Sequence, residues 1–366
     1  MQEEKRVLTF DILRGYFLFV IMIDHLMRTF GFWEIFTGRG AQWVSAAEGF
    51  FFVSGIMIGM LRGAKMISSP IEDIFKKCWS RSLTLYIWAV GLTIFFSLLA
   101  IFFKSNPGLK PEYFEGNISA FITNALSLSF TYGWADFLSF YAVYLFFSPL
   151  AIWLLRKNLW QVVLASSLFV WINTSTMMGG WQIIFFIGVI CGYYKNSLEE
   201  FVLSLSNRVR KNITNLIYVF TGLTLVLSVF FTTIAEEYAA PGRSARFLSF
   251  DVSGARDYSI NILRSHFDKI PMQPLRLLLF FVWFSALFIL VKKYEEKIKK
   301  YLGWFLITLG QNSLYVYIIS AILLFFTNLV IPGGLPWYLN TLLNTAFVGL
   351  VWYLTKMKIL FKYIPR

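Results

Sequence analysis

Two cysteines and two histidines are all the soft and imidazole ligands that 366 residues provide, and only 14% of the chain is charged. Cys78 and Cys191 sit at the ends of apolar stretches, with neither a metal-ligand spacing nor the partners of a disulfide framework. Redox chemistry and structural zinc are therefore poor organising themes. The chain also lacks a glycine-rich nucleotide loop, an HExxH or CxxC element, an internal repeat and a low-complexity tract. ATP hydrolysis and zinc-dependent hydrolysis are disfavoured in turn. No Pro/Ser/Gly-rich linker divides the sequence, which reads as one domain over residues 1–366.

What the sequence has in excess is apolar surface. Hydrophobic residues make up 57% and aromatics 19%, with a mean hydropathy of +0.63. Such a composition cannot be spread over a water-facing exterior, so the bilayer must be the solvent. The reading is an all-α integral membrane protein, a polytopic bundle of about ten transmembrane helices. The expected spans lie near residues 10–30, 43–61, 82–103, 134–156, 158–174, 180–195, 213–234, 274–292, 302–327 and 338–355. The first apolar segment is long enough for an uncleaved signal anchor.

A net charge of +13 could suggest nucleic acid, but the distribution of the 33 Lys and Arg argues otherwise. With the N-terminus inside, Lys5 and Arg6, the run from Arg62 to Arg81, Arg156 and Lys157, the cluster from Lys195 to Lys211, Lys292 to Lys300 and the Lys356 to Arg366 tail all fall on the cytoplasmic face. This is the positive-inside pattern, with both termini cytoplasmic. It predicts a multi-pass protein of the inner (plasma) membrane with no nucleic-acid partner, and leaves homo-oligomerisation open. Residues 118–133 would invert this topology if they crossed, and are read as an interfacial or re-entrant helix. The long connection 235–273, with Pro241, Arg243, Asp251, Arg256, Asp257, His266 and Asp268, is expected to be an extracytoplasmic loop, either functional or a plain structural connection.

The informative chemistry is in the first span, where Asp11, Arg14, Asp24 and His25 interrupt an otherwise apolar helix. Ionisable groups at membrane depth are costly unless they face protein or water. Arg14 and His25 are eleven positions apart, which in a helix returns to within about 20° of the same face some 16 Å further along. Asp11 joins that stripe, whereas Asp24 points about a quarter-turn away. The planar fork of Arg14 suits an anionic group such as a phosphate. His25 is the one group in that stripe whose residue type has an unperturbed pKa near neutrality, as a general base for a hydroxyl requires. The plainer alternative is a histidine that only bonds a neighbouring helix, with Asp11 and Arg14 as an interfacial ion pair.

Glu48, Gly55 and Gly59 share one face of the second span. The two glycines form a GxxxG packing motif, while Glu48 either orients the His25 imidazole or is a solvated edge residue. Arg276 opens a later span, with His266, Asp268 and Lys269 just outside it. It reads either as an anchor for an acidic substrate group or as a snorkelling arginine. Gln311, Asn312 and Ser313 are three consecutive polar residues in the ninth expected span, and at least one must face protein. Trp33, Trp43, Trp134, Trp181 and Trp337, near expected boundaries, fit an interfacial belt.

The spacing Arg14, ten residues, His25 resembles the hallmark of acyltransferase family 3-type membrane acyltransferases. The blocks FDILRGYFLFVIMIDHL, AEGFFFVSG, GGWQIIFFIGVICG, FDKIPMQPLRLLLF and LGQNSLYVY, in order along most of the chain, resemble the OpgC-type proteins associated with succinylation of osmoregulated periplasmic glucans. The resemblance implies O-acyl transfer from cytoplasmic acyl-CoA, either succinyl-CoA or acetyl-CoA, to a hydroxyl of a periplasmic or cell-surface carbohydrate. No metal is implied. It also implies catalytic roles for His25, Glu48 and Asp11, coenzyme binding by Arg14 and Arg81, and substrate binding by Trp181, Gln182, Asp268, Lys269, Arg276 and Asn312. A proton-coupled transporter and a noncatalytic assembly component are the competing classes, and a transporter would be favoured by inverted repeats, for which no symmetry is visible.

Overall fold

In the computed structural model, residues 7–26, 29, 31–109, 117–235, 246–247 and 250–365 are described. The chain is helical nearly throughout. The longer elements are α1 (Leu8–Leu26), a short α2 (Glu34–Thr37), α3 (Ala46–Ile58), α4 (Ile71–Phe102), α5 (Ile118–Leu126), α6 (Asp136–Arg156) and α7 (Trp160–Ile172). They continue as α8 (Met177–Tyr193), α9 (Lys195–Ser204), α10 (Asn207–Val229), α11 (Pro274–Lys293), α12 (Glu295–Gln311), α13 (Ser313–Val330) and α14 (Trp337–Lys356). Two-residue strands, Arg246–Phe247 and Phe250–Asp251, pair antiparallel in the connection between α10 and α11.

Helix starts follow local chemistry. Ser45 and Glu48 form a capping box at α3, the Ser45 N–H donating to Glu48 Oε2 at 2.8 Å. The Thr176 and Ser206 hydroxyls accept from Gly179 and Val209 at the starts of α8 and α10. Pro274 occupies the first turn of α11, where its missing N–H costs nothing.

Among the described residues, six helices are long and apolar enough to cross a bilayer: α3 with its continuation to Ala64, α4, α6, α10 with its continuation to Ile234, α11 and α13. A seventh crossing arises if α8 and α9, bent by 73° at their junction, are counted as one. The expectation of ten spans is thus met only in part, and the shortfall has physical causes. Helix α1 carries three charged residues, and α7 has only 13 residues. Helix α14 is diluted by Asn340 and Asn344, both fully buried. The ninth expected span is two helices, broken at Asn312, whose backbone (φ −115°, ψ 30°) leaves the helical range. The segment expected to be interfacial forms the nine-residue α5 and a turn, and nine helical residues reach only about 14 Å. In the expected outer loop, short helical turns occupy Ser253–Tyr258, Ser259–Leu263 and Arg264–His266. Pro241 and Arg243 lie outside the described residues, as do Lys5, Arg6 and Arg366 of the topology reading.

The centre of the bundle is α1, α3, α6, α8 and α13. Ile12, Leu13, Leu18, Val53, Phe185, Val189, Val316 and Ile318 are among its fully buried side chains. Small residues let these backbones meet. A Cβ on Gly55 would stand 2.1 Å from the Phe185 carbonyl oxygen, and one on Gly59 2.1 Å from that of Val189. Gly188 and Gly192 approach the Phe52 and Ile56 carbonyls in the same way. The GxxxG motif is therefore a packing motif, and its register makes α3 and α8 parallel. Gly15 and Gly310 bring α1 against α12 equally closely. By contrast α10 is peripheral, with Ser228 its only buried residue.

Candidate functional site

The α1 stripe meets the break between α12 and α13. Gln311 Nε2 donates to Asp11 Oδ2 at 3.3 Å, and Arg14 Nη2 donates to the Ser313 hydroxyl. Asn312 turns back on its own helix, its side-chain amide donating to the Thr308 carbonyl at 2.9 Å. Two of the three consecutive polar residues thus face the opening helix, and the discontinuity places a polar seam where α1 carries its charges. Irregular backbone at membrane depth is tolerated where protein or a cavity receives it. Asp11 is buried and Arg14 half-buried.

Further along α1, His25 is exposed, although Met22, Ile23 and Leu26 beside it are buried. Its surroundings are polar. The Lys269 ammonium interacts electrostatically with His25, Asp24 and Asp136, which joins the end of α1 to the start of α6. Asp136 also receives the Tyr317 hydroxyl, at 3.4 Å, from α13. Neither Asp136 nor Tyr317 is singled out by the sequence, because a carboxylate at the edge of an apolar segment reads as an ordinary boundary residue.

Lys269 is held by its main chain. Trp181 is 1% exposed and its indole N–H donates to the Lys269 carbonyl at 2.9 Å. Trp171 does the same to Met272 at 2.8 Å, and Lys269 and Met272 form an isolated antiparallel bridge. The exposed Asp268 accepts from the Ile270 N–H at 3.1 Å and completes the turn. Trp181 is thus placed to position Lys269 rather than to offer its ring to a ligand.

Three other expected site residues are committed to internal partners. Arg276 is 4% exposed; its Nε donates to Glu48 Oε1 at 2.5 Å and its Nη1 to the Phe267 carbonyl at 3.0 Å. Glu48, wholly buried, also accepts from Ser45. Among the described residues no hydrogen bond or ion pair joins Glu48 to His25; the carboxylate is taken up by the α3 cap and by Arg276. Gln182 and Ser167 bond each other twice, at 2.6 and 2.7 Å, tying α8 to α7.

Arg62, in the continuation of α3, and Arg81, about three turns into α4, are half-buried and interact electrostatically with each other. Among the described residues neither forms an ion pair with an acidic side chain. Two guanidinium charges that act on each other, with no acidic ion-pair partner among the described residues, favour an anion. Two cavities, about 410 Å³ between α6, α7 and α8 and about 580 Å³ between α4 and α6, are apolar, and neither is lined by Arg14 or His25. No cluster of three or more His, Cys, Asp or Glu suited to a metal occurs among the described residues.

With this geometry in place, the whole chain can be compared with known families, and the model described as OpgC protein matches residues 6–362. The chain belongs to the OpgC family. No curated protein and no solved structure matches it. Membership of the OpgC family fits a helical membrane chain with ionisable residues on its opening helix, and all five sequence blocks contain residues of the arrangement above. FDILRGYFLFVIMIDHL carries the stripe, AEGFFFVSG the ion-paired Glu48, GGWQIIFFIGVICG both Trp181 and Gln182, FDKIPMQPLRLLLF both Lys269 and Arg276, and LGQNSLYVY the broken helix.

Proposed function

We propose that this OpgC-family protein is a membrane-embedded O-acyltransferase of the acyltransferase family 3 type. It moves a succinyl or acetyl group from cytoplasmic acyl-CoA to a hydroxyl of an extracytoplasmic glucan or related polysaccharide, and works in the inner membrane. The observation that carries this reading is the polar line on α1, from Asp11 and Arg14 at the α12–α13 break to the exposed His25 beside Lys269.

In this reading Arg14, with Arg62 and Arg81, holds the phosphates of the coenzyme, and the pantetheine arm runs along the roughly 16 Å of helix rise toward His25. The acceptor enters among Lys269, Asp268 and Asp136. Neutral His25 accepts the proton of the acceptor hydroxyl as its oxygen attacks the thioester carbonyl. The C–O bond forms, the C–S bond breaks, and the coenzyme thiolate departs and takes the proton from the imidazolium. Trp181 and the Arg276–Glu48 pair act by positioning the Lys269 turn and the start of α3. No metal enters these steps.

The test is to compare cell-envelope glycans from a deletion strain and the same strain complemented with this chain. Mass spectrometry should show glycan species heavier by one acyl group only in the complemented strain, which names acyl group and acceptor together. Identical glycan masses in both strains would remove the proposal.

A further inference from the structure

The apolar groove between α6, α7 and α8 has no part in the transfer chemistry, yet its shape and its one charged end select an occupant. It encloses about 410 Å³. Phe147, Leu150 and Val170 line it while remaining close to half exposed, so it opens sideways onto the outer surface of the bundle. Helix α7, which forms one wall, has 13 residues. It rises only about 20 Å, against roughly 30 Å of hydrocarbon in a bilayer.

The polar side chains that line the groove are spent within the bundle. Ser167 and Gln182 bond each other, the Tyr144 hydroxyl donates to the Met178 carbonyl at 2.6 Å, and the Thr176 hydroxyl accepts from the Gly179 N–H at 3.1 Å. Ser166 is the lining side chain left without a hydrogen bond among the described residues. A buried water makes about three hydrogen bonds, and one free hydroxyl does not supply them. At membrane depth the species that fills such a space is hydrocarbon.

Helix α6 sets the direction of the groove. Val143, Phe147, Leu150 and Leu154 fall on one stripe and cover about 16 Å of helix rise. A space of this volume drawn out over that length suits a hydrocarbon chain and is too narrow for a helix about 10 Å across. Lys157 ends the stripe, seven positions after Leu150 and so within about 20° of its direction. Its exposed ammonium stands 3.9 Å from the centre of the Trp153 ring and forms no ion pair among the described residues. Arg156 beside it is committed inward, donating to the Ser69 carbonyl at 2.9 Å and to that of Met66. A cation without an acidic partner, at the end of an apolar channel, is complementary to a negative head joined to an apolar tail.

We infer that this groove binds one anionic phospholipid, with an acyl chain along the α6 stripe and the phosphate at Lys157. The lipid holds the short α7 against α6 and α8 and takes no part in acyl transfer.

The test is native mass spectrometry of the full chain, delipidated in detergent and titrated with dioleoyl phosphatidylglycerol or dioleoyl phosphatidylcholine, with the unfolding temperature read alongside. The expected result is one phosphatidylglycerol retained more tightly than phosphatidylcholine of the same chains, with a rise in unfolding temperature. Lys157→Gln should weaken phosphatidylglycerol binding roughly fivefold, the attraction of one lysine to an anionic head, and leave phosphatidylcholine unchanged. Lys362→Gln removes another exposed lysine set over an aromatic ring, outside the groove, and should match the parent. Val170→Trp fills the groove from its exposed side and should lose both lipids; should it fail to fold, Leu150→Trp does the same from α6. The proposal is overturned by a parent that shows no preference for phosphatidylglycerol, by equal weakening in Lys157→Gln and Lys362→Gln, or by undiminished binding in the groove-filling variants.

Discussion

Arg276 and Glu48, 228 residues apart in the chain, form an ion pair in which both side chains are essentially shut off from solvent. Breaking a buried pair by removing one partner leaves an uncompensated charge, with a typical cost of about 3–5 kcal/mol. Arg276→Met and Glu48→Leu are therefore each expected to lower the unfolding temperature sharply in detergent. The double variant, which removes both charges, should recover much of the loss. Additive losses in the double variant would show that the two residues do not act as a pair.

Gly310 and Gly15 set the distance between α1 and α12, since a Cβ at Gly310 would stand 1.9 Å from the Asp11 carbonyl oxygen. Gly310→Ala should reduce the yield of folded protein, whereas Gly349→Ala, where a Cβ meets nothing within 4 Å, should be tolerated. Fluorescence-detected size exclusion of both variants checks this. Equal yields would mean that α1 can move aside.

The Arg14 fork can meet a phosphate or carboxylate with two parallel bonds, which an ammonium cannot. Arg14→Lys is expected to raise the KM for acyl-CoA about tenfold with a smaller change for the acceptor, because charge survives and geometry does not. Arg81→Ala should act in the same direction, through loss of one of two guanidinium groups that have no acidic ion-pair partner among the described residues. Donor KM values at the parental level in both variants would remove these residues from the coenzyme site.

Much of this arrangement is legible in the sequence, and what is not has identifiable physical reasons. Periodicity places Asp11, Arg14 and His25 on one stripe of α1, and their costliness in a bilayer marks them. GxxxG announces the close approach of α3, though not that α8 is the partner. The commitment of Gln182 to Ser167 and of Arg276 to Glu48 depends on tertiary contacts that no local pattern encodes. Asp136, Glu34 and the asparagines of α14 look like ordinary boundary or packing residues until the fold gathers them. The span count suffers for a related reason. Charges in α1 and amides in α14, which give these helices their partners, also lower the apolarity by which a crossing is recognised.

Among the described residues, the hydrogen bond that Trp181 makes to the Lys269 turn is the one from its indole N–H to the Lys269 carbonyl. Trp181→Phe deletes that hydrogen bond while keeping most of the ring, a loss of about 1 kcal/mol. The expected outcome is a several-fold higher KM for the glucan with an unchanged KM for acyl-CoA. An equal rise in both would mean a general loosening of the bundle.

In the proposed reaction His25 stands at the outer end of a route whose other end receives the donor. The most direct measurement is acyl transfer in sealed proteoliposomes, with membrane-impermeant labelled acyl-CoA outside and the glucan acceptor enclosed. The parent chain should label the enclosed glucan, and His25→Ala, reconstituted at the same level, should lose at least about a hundredfold of that rate. Labelling that persists in His25→Ala, or that occurs only when donor and acceptor share one side, would contradict the account.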